Sequence, residues 1–176
     1  MIDAKKQIQE VMEVAREAIR AELKAQGHIA TGKLYNSMRI EIVEDGKGYI
    51  GRLWVQDYYV NIEFRMGPGS VPYTRGSGKS SSQMIMGLFK HWQRLGVANP
   101  LAASFATANV WKKEGRPTRA SFKYSSNGRR TGFMEHGVKA FREKADELIT
   151  EGYAEATRFH MRSIVNGLDQ LDLKTA

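Results

Sequence analysis

The sequence predicts an α+β fold: a small antiparallel β-sheet, the hairpin 38–55, packed by an N-terminal helix, a middle helical hairpin and a long C-terminal helix. Two observations carry this. Met38, Ile40 and Ile42 alternate with Arg39, Glu41 and Val43, the period of two expected of a half-buried strand. At both ends of the chain apolar residues instead recur at steps of three and four, the signature of amphipathic helices. A length of 176 residues suits one domain over 1–176 with a core of its own.

In chain order, the first helix is expected from about Ala4 to Gln26, with Asp3 as its N-cap. Its stripe is Ile8, Met12, Ala15, Ile19 and Leu23, and Gly27 suits the C′ position. Mixed Glu and Lys on the polar side favour packing on the sheet over a membrane-surface role. Thr31 then caps a short turn, beneath which Leu34 fixes the angle of the first strand. Asp45-Gly46-Lys47-Gly48 supplies turn residues that tolerate positive φ. Ile50, Leu53, Trp54 and Val55 form the returning strand, with less regular alternation. Residues 58–64, YYVNIEF, fit either a strand or a helical turn.

Residues 65–82 are loop by composition, with four Gly, two Pro and five Ser. The GSGKSS end invites a phosphate-loop reading, but that motif needs Gly where Tyr73 stands, and no buried parallel strand leads into it. A second helix over Ser82–Leu95 presents Ile85, Leu88, Phe89 and Trp92. Pro100 opens a third, with Leu101, Phe105, Ala108 and Trp111, and Gly115 and Pro117 end it. Residues 115–132 carry five positive charges and no negative one. The interleaved Phe122 and Tyr124 fit stacking on nucleic acid, and the SFKYS alternation equally fits an arm added to a neighbour's sheet. Both segments, 65–82 and 115–132, read as mobile loops. The final helix is expected from Phe133 to about Leu168, with Gly152 as the place for a kink, on Val138, Phe141, Ala145, Leu148, Ile149, Ala156, Phe159 and Ile164. A frayed tail, 167–176, follows.

The net charge of +8 is unevenly placed. Between Arg65 and Glu135 there are twelve Lys or Arg against two acids, a local +10, so the rest of the chain sums to −2. Such a zone suits nucleic acid or an acidic protein. The candidate contacts are Arg65, Arg75, Lys79, Lys112, Lys113, Arg116, Arg119, Lys123, Arg129 and Arg130. No apolar run is long enough for a membrane span, and MIDAKKQIQE lacks the order of a signal peptide. With no cysteine there is no disulfide, thiolate metal site or thiol nucleophile.

The usual catalytic constellations are missing. His28, His91, His136 and His160 have no ligand spacing, and no GxSxG or GxGxxG occurs. Glu41, Glu44, Asp45 and Asp57 surround the hairpin, where exposed acids are the ordinary explanation and a metal-binding pair the rarer one. The expectation is a protein that is not an enzyme, with no cofactor and no metal.

Taken in order, several segments resemble the tail-completion, or head–tail joining, proteins of long-tailed bacteriophages of the Hong Kong 97-like type. A Thr-Gly-x-Leu-x-x-Ser segment before the first strand corresponds to Thr31, Gly32, Leu34 and Ser37. A Tyr-x-x-Val-Glu-x-Gly turn after the hairpin is approximated by Tyr59, Ile62, Glu63 and Gly67, with Phe64-Arg65-Met66 intervening before Gly67. A Pro-Phe-Met lead-in to the last helix is approximated by Gly132, Phe133 and Met134. The segments touch about half of the chain, and 68–131 has no counterpart. The resemblance implies a structural virion protein at the neck–tail junction, present in the host cytoplasm during assembly. It implies a homo-oligomeric ring, six subunits as the usual number and twelve as the variant. Its partners would be neck or adaptor proteins, tail-tube or tail-terminator proteins, and the double-stranded DNA that passes through, with no membrane. The alternative from charge alone is a basic nucleic-acid-binding protein acting outside a virion ring. A hydrolase using the hairpin carboxylates ranks last.

Overall fold

A computed structural model describes residues 4–46, 48–73, 82–142 and 144–151. The fold is α+β, a two-stranded antiparallel sheet among helices. It divides into two compact units. The first holds the described residues of Met1–Lys24, Ile29–Gln56 and Met134–Ala176, and the second those of Ala25–His28 and Asp57–Phe133.

In the first unit, α1 (Ala4–Ala25) buries Ala15, Ile19 and Leu23 of the expected stripe. Its predicted cap, Asp3, lies outside the described residues. A short helix α2 (Lys33–Ser37) leads into β1 (Arg39–Glu44), which pairs with β2 (Tyr49–Trp54) in the register Ile40↔Leu53 and Ile42↔Gly51. Those pairs face α1: a Cβ on Gly51 would stand 2.5 Å from Met12 Cγ and 3.3 Å from Ile8 Cγ2. The opposite face carries Arg39↔Trp54 and Glu41↔Arg52. There the Trp54 indole N–H donates to Glu41 Oε2 at 2.6 Å, and the Arg39 guanidinium lies 5.8 Å from its ring centroid. Trp54 among these polar partners and Ile50 opposite Val43 both stand exposed on that face, which accounts for the weak alternation of the second strand.

The last helix, α6, is helical at 133–142 and 144–151, and its predicted kink at Gly152 and the tail 167–176 lie outside the described residues. It crosses α1 at Gly137, where a Cβ would meet Ile19 Cα at 2.6 Å. Glycine in mid-helix costs about 1 kcal/mol against alanine, and this close approach is what it makes room for.

In the second unit, 57–63 is helical: a 3-10 turn at Asp57–Tyr59, then α3 (Val60–Glu63), with Phe64 extended after it. Helices α4 (Gln83–Arg94) and α5 (Pro100–Glu114) form the predicted hairpin. Ser82 and Asn99 cap them by accepting from the backbone N–H groups of Ile85 and Ala102, both at 3.1 Å. The hairpin has its own core, Ile85, Leu88 and Ala108, with Phe105, Trp92 and Trp111 packed around it.

Segment 115–132 is bonded to its own unit. Met66 and Arg116 exchange backbone hydrogen bonds at 2.8 and 2.7 Å, Ser126 N–H donates to Ala25 at 2.8 Å, and the Gln26 side chain donates to the Thr131 carbonyl at 2.9 Å. The SFKYS stretch is neither an extended arm nor a hairpin tip. It belongs to a 3-10 helix at Arg119–Tyr124. Ser121 donates to the Thr118 carbonyl through both its N–H (3.0 Å) and its hydroxyl (2.7 Å), and these bonds to the residue three back override the apparent period of two.

Candidate functional site

The ten cations singled out by charge divide by what holds them. Arg75 and Lys79 lie outside the described residues. Arg65, Lys113 and Arg119 line a groove of about 530 Å³ together with Glu114 and Phe122. All three side chains are exposed. Position 113 sits in the last turn of α5, where a cation also favours the helix dipole. Position 119 is fixed because its backbone N–H donates to Glu114 Oε2 at 3.2 Å.

Arg116 and Arg130 are different. Arg116 donates through Nη2 to the Asn61 carbonyl at 2.5 Å and stacks over Trp111, 5.1 Å from the ring centroid. Arg130 donates through Nη1 to the Gln26 carbonyl. Burial lowers the pKa of both guanidinium groups from its ordinary value. These two bind main chain together at sequence separations of 55 and 104 residues, so they act first as parts of the fold. Lys112 does the same on a smaller scale, donating to the Val71 carbonyl at 3.2 Å. Lys123 lies 5.1 Å from the Tyr124 ring centroid. Arg129 is exposed, and its backbone N–H is held by Ser125 Oγ and Asn127 Oδ1 at 3.0 and 3.1 Å.

Both arginines line a second, smaller cavity of about 200 Å³ with His28 and Trp111. His28 lacked any spacing signal because its partner, the Arg130 carbonyl at 3.1 Å, is 102 residues away. Burial first, then the Arg130 and Arg116 charges, push its pKa down to about 4, against the hydrogen bond to the Arg130 carbonyl. Gly27 sits beside it with φ 69°, and a Cβ there would collide with the Tyr124 carbonyl and approach Arg130 Nη1 at 2.9 Å. Its backbone is thus needed both to end α1 and to admit the arginine.

The residues that carry the family resemblance are joints of the chain. Thr31 Oγ1 accepts from Lys33 N–H at 3.3 Å, Gly32 is left-handed at φ 70°, and Leu34 is buried. Ser37 donates to the Leu34 carbonyl at 2.8 Å and accepts from Gln56 N–H at 3.4 Å, tying the start of the hairpin to its end. Glu63 is buried, and its carbonyl accepts from Gly132 N–H at 2.8 Å. Phe133 is fully buried, Met134 and Tyr59 are half-buried, and Gly67 precedes a 3-10 turn at Pro68–Ser70.

Of the hairpin acids, Glu41 and Glu44 differ by an odd number of strand positions and point to opposite faces. Among the described residues no group of three or more His, Asp or Glu is placed to hold a metal ion. Among them, too, no helix is long and apolar enough to cross a membrane. Comparison with protein families, with curated proteins and with solved structures finds no match to this chain.

Proposed function

We propose that this chain is a ring-forming structural protein of the phage neck, of the head–tail joining or tail-completion type, which joins the connector to the tail tube while DNA passes through. One observation carries the reading: the residues of the three matched segments are joints of the fold. Ser37 closes the hairpin through its hydroxyl, and Leu34 and Phe133 are buried where the chain enters the hairpin and the last helix. A resemblance spread over such positions is a resemblance of architecture, whereas scattered surface identities would carry little. On this reading the protein is not an enzyme, works in the virion, and meets neck and tail-tube proteins through surfaces outside those joints.

The test is the mass of the assembly by native mass spectrometry at micromolar concentration, alone and with neck and tail partners. A closed ring, six subunits being expected, supports the reading. A chain that stays monomeric with both partners present refutes it.

The groove of Arg65, Lys113 and Arg119 beside exposed Phe122 favours a second reading, a free nucleic-acid-binding protein. Duplex affinity should then fall with log salt at a slope near −0.9 per phosphate contacted, about −3 for three groove cations. Replacing those three by alanine should abolish the slope. Absence of binding by the isolated chain at low salt dismisses this reading and leaves the ring untouched.

A further inference from the structure

The small cavity of the second unit holds more positive charge than the fold uses. Arg116 and Arg130 each spend one side-chain hydrogen bond on main chain, and a guanidinium has five N–H groups. Arg130 Nε, buried and without a partner among the described residues, is shut off from solvent, so the donors left for a ligand are Nη N–H groups. Among the described residues neither arginine forms an ion pair, unlike Arg16 and Arg20 of α1, which both pair with Glu17. A cation drawn out of water without a counter-charge is costly, and so is a buried donor left unmade. No Asp or Glu is among the residues that line the cavity, so none of them balances the two charges.

We propose that this cavity is a binding site for a single oxyanion, supplied as the carboxylate of an acidic side chain on a partner polypeptide. Its volume of about 200 Å³ and its walls of Ile62, Phe64 and Trp111 suit one aspartyl or glutamyl side chain, methylenes on the apolar wall and carboxylate toward the guanidinium groups. Apolar walls beside the guanidinium groups strengthen charged hydrogen bonds made against them. Phe64, 63% exposed, offers the partner's backbone an apolar contact beside the site. A DNA duplex fits poorly, because its phosphates sit on a broad cylinder flanked by sugars and cannot enter a cavity of this size. The inference is independent of the ring reading.

His28 lines the cavity and reports on it, so the experiment is NMR titration of its imidazole in the full chain with three probes: an acetylated Gly-Glu-Gly amide peptide, inorganic phosphate and a short DNA duplex. Peptide and phosphate should each move the His28 signals saturably and raise its pKa from about 4 by about one pH unit, since a nearby anion favours the charged form. The duplex should leave it unmoved. Arg130→Gln should weaken the peptide about tenfold, with Arg65→Gln, outside the cavity, without effect. If neither peptide nor phosphate moves His28 in the unaltered chain, the proposal fails whatever the variants do. Saturation by phosphate or duplex but not by peptide overturns the acidic side chain as occupant. A folded Arg130→Gln chain that keeps full affinity for the peptide overturns the role of that arginine.

Discussion

Gly137→Ala and Gly87→Ala are the same change on two helices, and the structure predicts opposite signs. At a solvent-facing helical glycine, alanine gains about 0.4–1 kcal/mol, chiefly by restricting the unfolded chain. Gly87 in α4 is such a site, exposed and with nothing within 4 Å of where a Cβ would stand. At Gly137 the same methyl would stand 2.6 Å from Ile19 Cα, 2.8 Å from its Cγ1 and 3.1 Å from its N. Two of those atoms are backbone, so relief requires α1 and α6 to separate by about 1 Å, and overpacking of this kind costs about 1–3 kcal/mol. After the propensity gain, Gly137→Ala should lose about 1–2 kcal/mol net, or roughly 2–8 °C in Tm for a chain of this size. Urea unfolding followed by circular dichroism measures both, with the m-value checked so that a midpoint shift reads as stability. A Gly137→Ala chain as stable as the parent would refute the close crossing of the two helices.

Acid should destabilise the second unit between about pH 6.5 and pH 4. His28 has its folded pKa lowered to about 4, so the unfolded chain binds the extra proton in that window and stability rises with pH; His28→Gln should flatten the profile measured by urea midpoints. Ser82→Ala and Asn99→Ala should each cost about 1 kcal/mol by removing a cap, and the pair should add if the caps act independently, read from thermal midpoints. Arg116→Ala should cost about 1–2 kcal/mol, because it removes the charge-assisted bond to the Asn61 carbonyl and unstacks Trp111, whereas Arg65→Ala should stay within about 0.5 kcal/mol. Equal effects for the two arginines would remove the division between structural and available cations.

The helices and hairpin were legible because their signals are local. The stripe Ile8 to Leu23, Pro100 at the first turn of α5, and the alternation around Ile40 and Ile42 each need only a few neighbouring residues, whereas the caps at Ser82 and Asn99 emerge only from the structure. The 3-10 helix at Arg119–Tyr124 was not legible. Its polar–aromatic alternation mimics a strand, and what decides against one is the Ser121 bonds to Thr118. The start of the last helix at Phe133 was visible but its full burial was not, since a single aromatic before a helix gives no period to read.

The charge excess was read from composition, and there the sequence misleads in a specific way. Counting Lys and Arg treats every cation as surface, but the distances that matter here span the chain: Arg130 to Gln26, Arg116 to Asn61, Lys112 to Val71. Each of those three donates to a carbonyl, an acceptor that every residue possesses and that leaves no mark in a sequence. The cations left for a partner are therefore fewer than the local +10 implies, and they fall into two chemistries. Arg65, Lys113 and Arg119 are exposed along a polar groove, where screening by salt should govern any contact. Arg116 and Arg130 sit against apolar walls, where one matched carboxylate would count for more than many diffuse charges. A partner that uses both must bring an acidic surface for the groove and a single projecting acid for the cavity, which is a demand a protein can meet and a uniform phosphate backbone cannot.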